Sequence, residues 1–207
     1  MLQAKEFLNQ KTVIRAENLI KDPLVSVILP TYCRGDNGLL ARAIDSVLTQ
    51  TFKSFELIIV DDGSVDATQN VVKEYLSRDN RIIYVRNDIN SGLPALRVNQ
   101  GLMMSRGAYI AYQFDDDQWT SNALKILVKE LQKQNRPALV YGKCHISTTA
   151  QDGYLGVPFD YGRLINDNYI ANNSVLHSRE LFEQYGMYDC HLVMRRLCDW
   201  DLWLRWS

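Results

Sequence analysis

The chain has 207 residues, a mass of 23.8 kDa and an almost even charge balance, with 23 basic and 24 acidic side chains. A chain of this length can bury a substantial core within one domain. The even balance argues against a protein that binds nucleic acid through phosphate neutralisation, and no apolar run approaches the roughly 18 residues of a membrane-spanning helix.

Strand and helix patterns alternate along the chain. Residues 1–11 are polar and of mixed charge, unlike a secretory signal, and helix-forming residues from Leu2 to Ile20 predict an N-terminal helical extension over residues 1–22. Short apolar runs predict strands over 25–29, 55–60, 81–85, 109–114 and 138–141. Apolar residues at helical spacing predict helices near 39–48, 71–76, 96–104 and 124–131.

This alternation is typical of an α/β fold with a mostly parallel, Rossmann-like sheet. Repeated strand–helix–strand units imply right-handed crossovers and helices on both faces of the sheet. After about residue 143 the pattern loosens, which predicts loops that shape a cleft. The segment from Asp199 to Trp206 reads as an amphipathic helix without a stop signal, so we expect the chain to continue beyond Ser207 in a longer parent.

Polar side chains follow three of the predicted parallel strands, at the edge where such sheets bind ligands. They are Pro30, Thr31 and Tyr32, then Asp61 and Asp62, then Asp115, Asp116 and Asp117. Three adjacent carboxylates repel one another unless they share a cation or a proton, and Mg²⁺ or Mn²⁺ takes carboxylate oxygens together with substrate phosphates. A solvated acidic turn before a helix is the alternative. The convergence of three strand ends favours a functional site.

The absence of two nucleotide-binding motifs limits the ways in which a ligand could be bound at this edge. No GxGxxG motif follows a strand and no P-loop motif occurs, so phosphate would have to be held through a metal. Asp62 could accept hydrogen bonds from a base or from ribose hydroxyls, whereas Asp61 could cap the turn into the next helix. Tyr32 could stack on a base, with ordinary packing as the alternative.

Five segments, taken in order, resemble the family 2 glycosyltransferases of GT-A fold. The first reads Val-Ser-Val-Ile-Leu-Pro-Thr-Tyr, and the third contains Val60-Asp61-Asp62-Gly63-Ser64. The order Leu96-Arg97-Val98-Asn99 matches the family's Ala-Arg-Asn motif only loosely, so we assign no phosphate contact to Arg97. The matching segments are 25–32, 43–52, 56–68, 90–101 and 107–117. The likeness extends from about Pro23 to the last residue.

The resemblance implies roles for the polar residues at the strand ends. Asp62 would contact the nucleotide base, by preference uracil, and the segment from Pro30 through Thr31 to Tyr32 would line the same pocket. Asp115 would lie nearer the ribose. Asp116 and Asp117 are the candidate ligands of Mn²⁺ or Mg²⁺, and the resemblance does not decide between them.

A general base is expected near the end of the chain. Family members carry a Glu-Asp doublet before a Leu-Trp-Leu-Arg-like helix, and here Cys198 and Asp199 stand at those two positions. Asp199 would therefore remove a proton from the acceptor hydroxyl, in a single displacement that inverts the anomeric carbon. Asp201 lies about 200° further round the helix, so the two carboxylates cannot face one point. For either residue, a carboxylate stabilised by the helix dipole is the alternative.

Taken together, the resemblance implies an inverting, metal-assisted glycosyltransferase that moves a sugar from a UDP-sugar to a hydroxyl of a glycan, lipid-linked or other acceptor. Residues 23–118 would bind the nucleotide-sugar, and residues 119–207 would form the acceptor side. The four scattered cysteines are typical of reduced thiols in a cytoplasmic protein, and any association with the inner face of the membrane would come from the parent protein.

Two other functions are compatible with the same residues. One is a nucleotide-sugar-binding domain without turnover, which the cysteine in place of the acidic doublet residue favours. The other is a nucleotidyltransferase that makes sugar nucleotides, but the expected Gly-rich basic loop is not convincing at residues 33–38. His145, His177 and His191 lack metal-binding spacing, and we expect His177 to be a packed surface residue.

Overall fold

A seven-stranded sheet is the centre of the part of the chain that the computed structural model describes, residues 11–148, 152–194 and 197–207. The strands are β1 Lys11–Arg15, β2 Val25–Thr31, β3 Phe55–Asp61, β4 Ile82–Asn87, β5 Tyr109–Tyr112, β6 Leu139–Tyr141, β7 Cys144–Ser147, β8 Asp152–Leu155 and β9 Val175–Ser178. The helices are α1 Leu39–Leu48, α2 Thr68–Leu76, α3 Pro94–Met104, α4 Ala123–Leu131, α5 Tyr161–Leu164, α6 Arg179–Tyr185 and α7 Cys198–Trp206. Strands β7 and β8 form a separate hairpin.

The strand order in the sheet is β1-β4-β3-β2-β5-β9-β6. The four central strands β4, β3, β2 and β5 are parallel, whereas β1 and β9 pair with their neighbours in the antiparallel sense, as do β6 and β9. The predicted α/β fold with a mostly parallel sheet is therefore confirmed. The predicted strands and helices occur with bounds shifted by a few residues, as at β5, which ends at Tyr112 rather than at Phe114.

Both faces of the sheet are covered because alternate residues of its strands point to opposite sides. Along β2, Val27 and Leu29 pack under α1, α2 and α4, while Ile28 packs with α3 and α7. Along β5, Ala111 joins the first group and Tyr112 the second. The strand residues are apolar at nearly every position because both faces are buried.

The expected N-terminal helical extension is wrong over residues 11–15. These residues form strand β1, which pairs with β4 from Lys11 opposite Asn87 to Arg15 opposite Ile83. Thr12, Val13 and Ile14 are β-branched, and such residues favour a strand over a helix. Pairing here also covers the backbone edge that β4 would otherwise expose. Residues 1–10, the rest of the expected helix, lie outside the described residues.

The register of the parallel strands brings their carboxyl ends to one edge. Thr31 of β2 lies opposite Asp61 of β3, and Ile28 of β2 lies opposite Tyr112 of β5. The turns after β2, β3 and β5 therefore meet at this edge, which we call the rim: residues 30–34, 61–64 and 113–117. The four cysteines, all within the described ranges, form no disulfide. Among the described helices, none is long and apolar enough to cross a bilayer.

Candidate functional site

The first carboxylate after β3 closes a turn. Asp61 is completely buried, and its side chain accepts hydrogen bonds from the Ser64 backbone N–H at 2.8 Å and from the Tyr84 hydroxyl at 2.6 Å. Burial and this bond to the carboxylate raise the pKa of Tyr84, so the phenol remains a donor. Asp61 thus holds the rim turn after β3 in place, which agrees with the expectation that it caps this turn.

The second carboxylate, Asp62, is held by the loop that follows β4. Its Oδ1 accepts from the Ser91 backbone N–H and hydroxyl, each at 2.9 Å, and from Arg97 Nε at 2.5 Å. Its Oδ2 accepts from the Gly92 N–H at 3.2 Å. The Ser91 hydroxyl is shared with Oδ2, at 3.1 Å, so Oδ1 meets three donors while Oδ2 meets the Gly92 N–H and this shared hydroxyl. Of these donors, the rotatable Ser91 hydroxyl is the easiest for a ligand to replace.

Glycine at position 63 lets this loop approach the rim. Gly63 has a φ of 75°, and a Cβ atom there would lie 2.7 Å from the Asn90 backbone nitrogen. Any other residue would be strained and would push the loop away. The Asp-Asp-Gly-Ser turn therefore brings the Ser91 and Gly92 donors within reach of Asp62.

Arg97 lies beneath the rim and not on it. Its side chain is 1% exposed, and besides Asp62 it donates to Asn87 Oδ1 at 2.8 Å and to the Ile89 carbonyl at 3.1 Å. A buried guanidinium with these partners does not reach an open ligand position.

The three carboxylates after β5 have different surroundings, although Asp116 and Asp117 both line one cavity. Asp115 turns toward the loop after β2, where it accepts from the Tyr32 backbone N–H at 3.2 Å. Asp116 lies between its neighbours with 54% of its side chain exposed. Asp117 lines a cavity of about 810 Å³ between α4 and the β7–β8 hairpin, beside Asn173. Burial, followed by repulsion from Asp116, raises the pKa of Asp117.

Arg34, which was not among the candidate residues from the sequence, lies close to two of these carboxylates. Arg34 Nε lies 3.5 Å from Asp115 Oδ1, and Arg34 Nη2 lies 3.7 Å from Asp116 Oδ2. Burial raises the pKa of Asp115, and the nearby guanidinium acts in the opposite direction. The loop that carries Arg34 is fixed by the Gly35 N–H, which donates to Asp66 at 2.8 Å. The one indication of Arg34 in the sequence is that it is a basic residue in the turn that follows β2.

These carboxylates do not form a complete metal site by themselves. Within the described ranges, no group of three His, Cys, Asp or Glu side chains is close enough to hold a metal ion. Their hard oxygen atoms nevertheless suit Mg²⁺ or Mn²⁺, which commonly take one or two carboxylates and complete the shell with substrate phosphates and water. Asp116 is the most accessible of the three.

The residues predicted after β2 differ in accessibility. Pro30 and Thr31 are buried at the end of the strand, whereas Tyr32 is 46% exposed. An exposed phenol ring at the rim is available to stack on a planar ligand. Of these three side chains, only Tyr32 presents a substantial surface to solvent.

Asp199 lies in the first turn of α7 and is bound by the loop that precedes β9. Asn168 Nδ2 donates to Asp199 Oδ2 at 3.2 Å, and the Trp200 N–H donates to Oδ1 at 2.9 Å. Burial raises the pKa of Asp199, and these two donors oppose the rise. The same loop reaches the rim side, because Trp119 Nε1 donates to the Asn173 carbonyl at 2.6 Å. A carboxylate with a raised pKa suits a proton acceptor.

The neighbours of Asp199 have other partners. Asp201 forms an ion pair with Arg205 one turn along the helix, at 2.9 Å, and does not join Asp199. Burial, followed by the charge of Asp199, raises the pKa of Cys198 to about 11. Cys198 is therefore a neutral thiol at neutral pH and does not replace the charge of the usual acidic residue.

Among the residues that the structure describes, the three histidines belong to no group of side chains that could hold a metal ion. His145 and His191 pair with Asp152 and Asp189, at 2.8 Å and 2.6 Å. The expectation that His177 lies on the surface is wrong, because it is completely buried on β9. Its Nε2 is 2.7 Å from the Tyr112 hydroxyl, and burial lowers its pKa to about 4. It is a neutral residue of the core.

Comparison with known proteins identifies relatives of this chain. Residues 26–195 match the family model described as Glycosyl transferase family 2. WcaA of Escherichia coli K12, named for colanic acid biosynthesis, is 40% identical over 193 residues, which cover 89% of this chain and 66% of that protein. A Campylobacter jejuni protein named GalNAc(5)-diNAcBac-PP-undecaprenol beta-1,3-glucosyltransferase is 34% identical over 172 residues, covering 83% and 53%. The chain thus spans less than two thirds of either relative.

Solved structures share the fold at lower sequence identity. TarS of S. aureus in complex with UDP has a TM-score of 0.68 at 20% identity, covering 86% of this chain and 53% of that one. The mannosyltransferase PcManGT of Pyrobaculum calidifontis, in complex with GDP-Man and Mn²⁺, has a TM-score of 0.61 at 21% identity, covering 91% and 54%. The architecture described above is therefore that of the GT-A type.

Proposed function

Because the chain belongs to glycosyl transferase family 2, we propose that the protein transfers a sugar from a UDP-sugar to an acceptor hydroxyl with inversion at the anomeric carbon. The observation that carries the proposal is the convergence at one rim of an exposed aromatic ring, Tyr32, the carboxylate Asp62 and the acidic cluster 115–117. Residues 23–118 supply this donor side. Residues 119–207 supply Asp199 and the acceptor side.

The donor nucleotide would be held by groups from all three rim turns. Tyr32 stacks on the base, and Asp62 accepts the base N–H in place of the Ser91 hydroxyl. Asp115 bonds to ribose hydroxyls. Arg34 is near enough to the acidic cluster to turn toward the diphosphate when a cation takes its place, since its contacts at 3.5 and 3.7 Å are long ion pairs.

A divalent cation fits the same cluster. Asp116 and Asp117 would hold Mn²⁺ or Mg²⁺ together with the diphosphate, because two carboxylates do not complete the coordination shell of such an ion. A bound cation supplies positive charge that stabilises the departing nucleoside diphosphate. PcManGT was solved in complex with GDP-Man and Mn²⁺, which supports the proposal of a divalent cation.

The transfer itself would use Asp199. The carboxylate takes the proton from the acceptor hydroxyl while that oxygen bonds to the anomeric carbon. The bond from this carbon to the diphosphate oxygen breaks, and the electron pair leaves with the nucleotide. Asn168 holds the carboxylate from the side, through the 3.2 Å bond to Oδ2. A single displacement of this kind inverts the configuration.

The acceptor is proposed as a hydroxyl on a glycan or lipid-linked glycan at the cytoplasmic face of the membrane. The Campylobacter relative is named for an acceptor linked to undecaprenol through a diphosphate. WcaA is named for a polysaccharide pathway. We expect no nucleic acid partner.

The proposal is tested by calorimetric titration of UDP with and without Mn²⁺. The wild-type protein should bind UDP with a dependence on Mn²⁺ that Asp116→Ala loses. Asp22→Ala is the matched control, since Asp22 is an exposed carboxylate before β2, at the end of the strand opposite the rim. If UDP, GDP, CDP and dTDP all fail to bind the wild-type protein, the donor site is refuted.

A second assay separates transfer from binding alone. Asp199→Asn should keep UDP affinity and lose sugar transfer, because the amide cannot take the hydroxyl proton at neutral pH. If the wild-type protein binds UDP-sugars but neither transfers nor hydrolyses them, it is a binding domain without turnover.

A further inference from the structure

The segment 168–174 connects the candidate base to the acidic cluster. At its beginning, Asn168 donates to Asp199 Oδ2 at 3.2 Å. Near its end, Asn173 lies beside Asp117 on the wall of the cavity, and its hydrogen bond opposes the rise in the pKa of that carboxyl. The position of this segment therefore sets the distance between two carboxylates that the proposed reaction uses.

Tyr188 holds this segment from the core side. Its hydroxyl donates to Asn172 Oδ1 at 2.8 Å, and the residue is only 4% exposed. Its backbone is fixed by Asn99 of α3, which accepts from the Tyr188 N–H at 3.0 Å and donates to the Tyr188 carbonyl at 2.8 Å. Because the backbone that carries the ring is anchored in this way, the hydroxyl has a defined position and Asn172 is held with it.

The direction of the hydrogen bonds is set deeper in the core. His177 Nδ1 lies 2.8 Å from the Ser178 carbonyl, so this nitrogen carries the proton, and Nε2 accepts from the Tyr112 hydroxyl at 2.7 Å. The Tyr112 proton is therefore not available to Tyr188, whose ring packs edge-on against that of Tyr112 with centroids 5.5 Å apart. Burial, followed by the charge of Tyr112, raises the pKa of Tyr188, so its hydroxyl remains a donor.

We propose that Tyr188 is a positioning residue for sugar transfer, which acts through Asn172 to hold the segment 168–174. The inference rests on the proposed function, in which Asp199 takes the proton of the acceptor hydroxyl. A misplacement of about 1 Å can cost about 100-fold in rate, so the loss of one anchor of this segment should be visible in kcat. Nucleotide binding uses groups on residues 23–118, so the affinity for UDP should not change.

The test compares UDP release from a UDP-sugar, in the presence of Mn²⁺, for the wild-type protein, Tyr188→Phe and Asn172→Ala. UDP-glucose, UDP-galactose and UDP-GlcNAc are tried as donors, and the one that the wild-type protein turns over fastest is used. Tyr188→Phe removes only the hydroxyl, and kcat should fall by about fivefold, as expected for one lost hydrogen bond. Asn172→Ala should give the same fall. Calorimetry should show an unchanged affinity for UDP in both variants.

A double-mutant cycle shows whether the two residues act together. If the hydroxyl acts through Asn172, the variant that combines Tyr188→Phe with Asn172→Ala should lose no more activity than either single variant. Additive effects on kcat would mean that Tyr188 acts by another route, and they would overturn the inference.

Tyr75→Phe is the matched control. Tyr75 is also a half-buried tyrosine whose hydroxyl donates to a side chain at 2.8 Å, that of Asp45, but it lies in the last turn of α2, where the chain has left the rim. Its loss should lower the melting temperature and leave kcat unchanged. A fall in kcat confined to the variants at Tyr188 and Asn172 is therefore not explained by lost stability.

The outcomes are distinguishable. A folded Tyr188→Phe protein with the wild-type kcat overturns the inference and leaves the proposed function standing. Should Tyr188→Phe not fold, Asn172→Ala tests the same contact at a half-buried loop position, and a wild-type kcat again overturns the inference. A wild-type protein that turns over none of the three donors overturns the proposed function together with the inference.

Discussion

The clearest functional prediction concerns the hydrogen bond that supports the candidate base. In Asn168→Ala, Asp199 loses the 3.2 Å bond from Nδ2 that favours its charged form. The pKa of Asp199 should rise, so the carboxylate is protonated, and inactive as a base, at higher pH than in the wild-type protein. Bonds to charged groups contribute about 1.5–3 kcal/mol. This one is long, so we take about 1.4 kcal/mol, which is about tenfold in rate.

The assay is the pH profile of kcat/KM for nucleotide release from the donor, with the acidic limb reporting the free enzyme. The limb should move to higher pH in Asn168→Ala, with a roughly tenfold lower rate on the acidic side and little change above the limb. Asn166→Ala is the matched control, because Asn166 is an exposed asparagine of the same segment whose side chain donates to the Gly162 carbonyl, away from Asp199. An unmoved limb in Asn168→Ala, or the same movement in Asn166→Ala, would refute this role for Asp199.

Two further predictions follow from buried and paired charges. Arg34→Gln removes the positive charge beside Asp115 and Asp116. Mn²⁺ should then bind the nucleotide-free protein about threefold more tightly, while UDP should bind more weakly. Calorimetry measures both affinities, and weaker Mn²⁺ binding would contradict the prediction. Burial lowers the pKa of His177 from 6.5 to about 4. Above about pH 6.5 the ring is neutral in the folded and the unfolded state, and its protonation does not oppose folding. As the pH falls from about 6.5 toward 4, the free energy of unfolding should fall by roughly 3 kcal/mol, because only the unfolded state takes up the proton. In urea unfolding, His177→Gln should lack this pH dependence; an unchanged dependence would show that His177 does not cause it.

The position of the rim could be predicted because it depends on local patterns. Continuous apolar runs identify strands buried on both faces, and the helical spacing between them implies parallel connections. Asp61 and Asp62 follow one such run and Asp115 follows another, and parallel strands bring their carboxyl ends to one edge. These patterns are sufficient to predict that the carboxylate clusters share one edge of the sheet.

The N-terminal strand shows where local patterns are insufficient. Helix-forming residues around positions 11–15 predict a helical extension, yet residues 11–15 pair with β4. Whether a short segment joins a sheet depends on an open strand edge elsewhere in the chain, and the edge of β4 becomes available only after the sheet has formed. The burial of His177 is equally hard to predict from local sequence, because its hydrogen-bond partner Tyr112 is 65 positions away.

Short-range periodicity and contiguous motifs are sufficient to predict the fold class, the family resemblance and the strand ends that carry acidic residues. The partners of each charged group, in contrast, depend on the tertiary structure. Arg97 meets Asp62 across 35 positions, Arg34 meets the carboxylates after β5, and Asn168 meets Asp199 across 31 positions. Such pairs depend on the paths of loops whose ends are fixed by different strands and helices, and no local spacing records those paths.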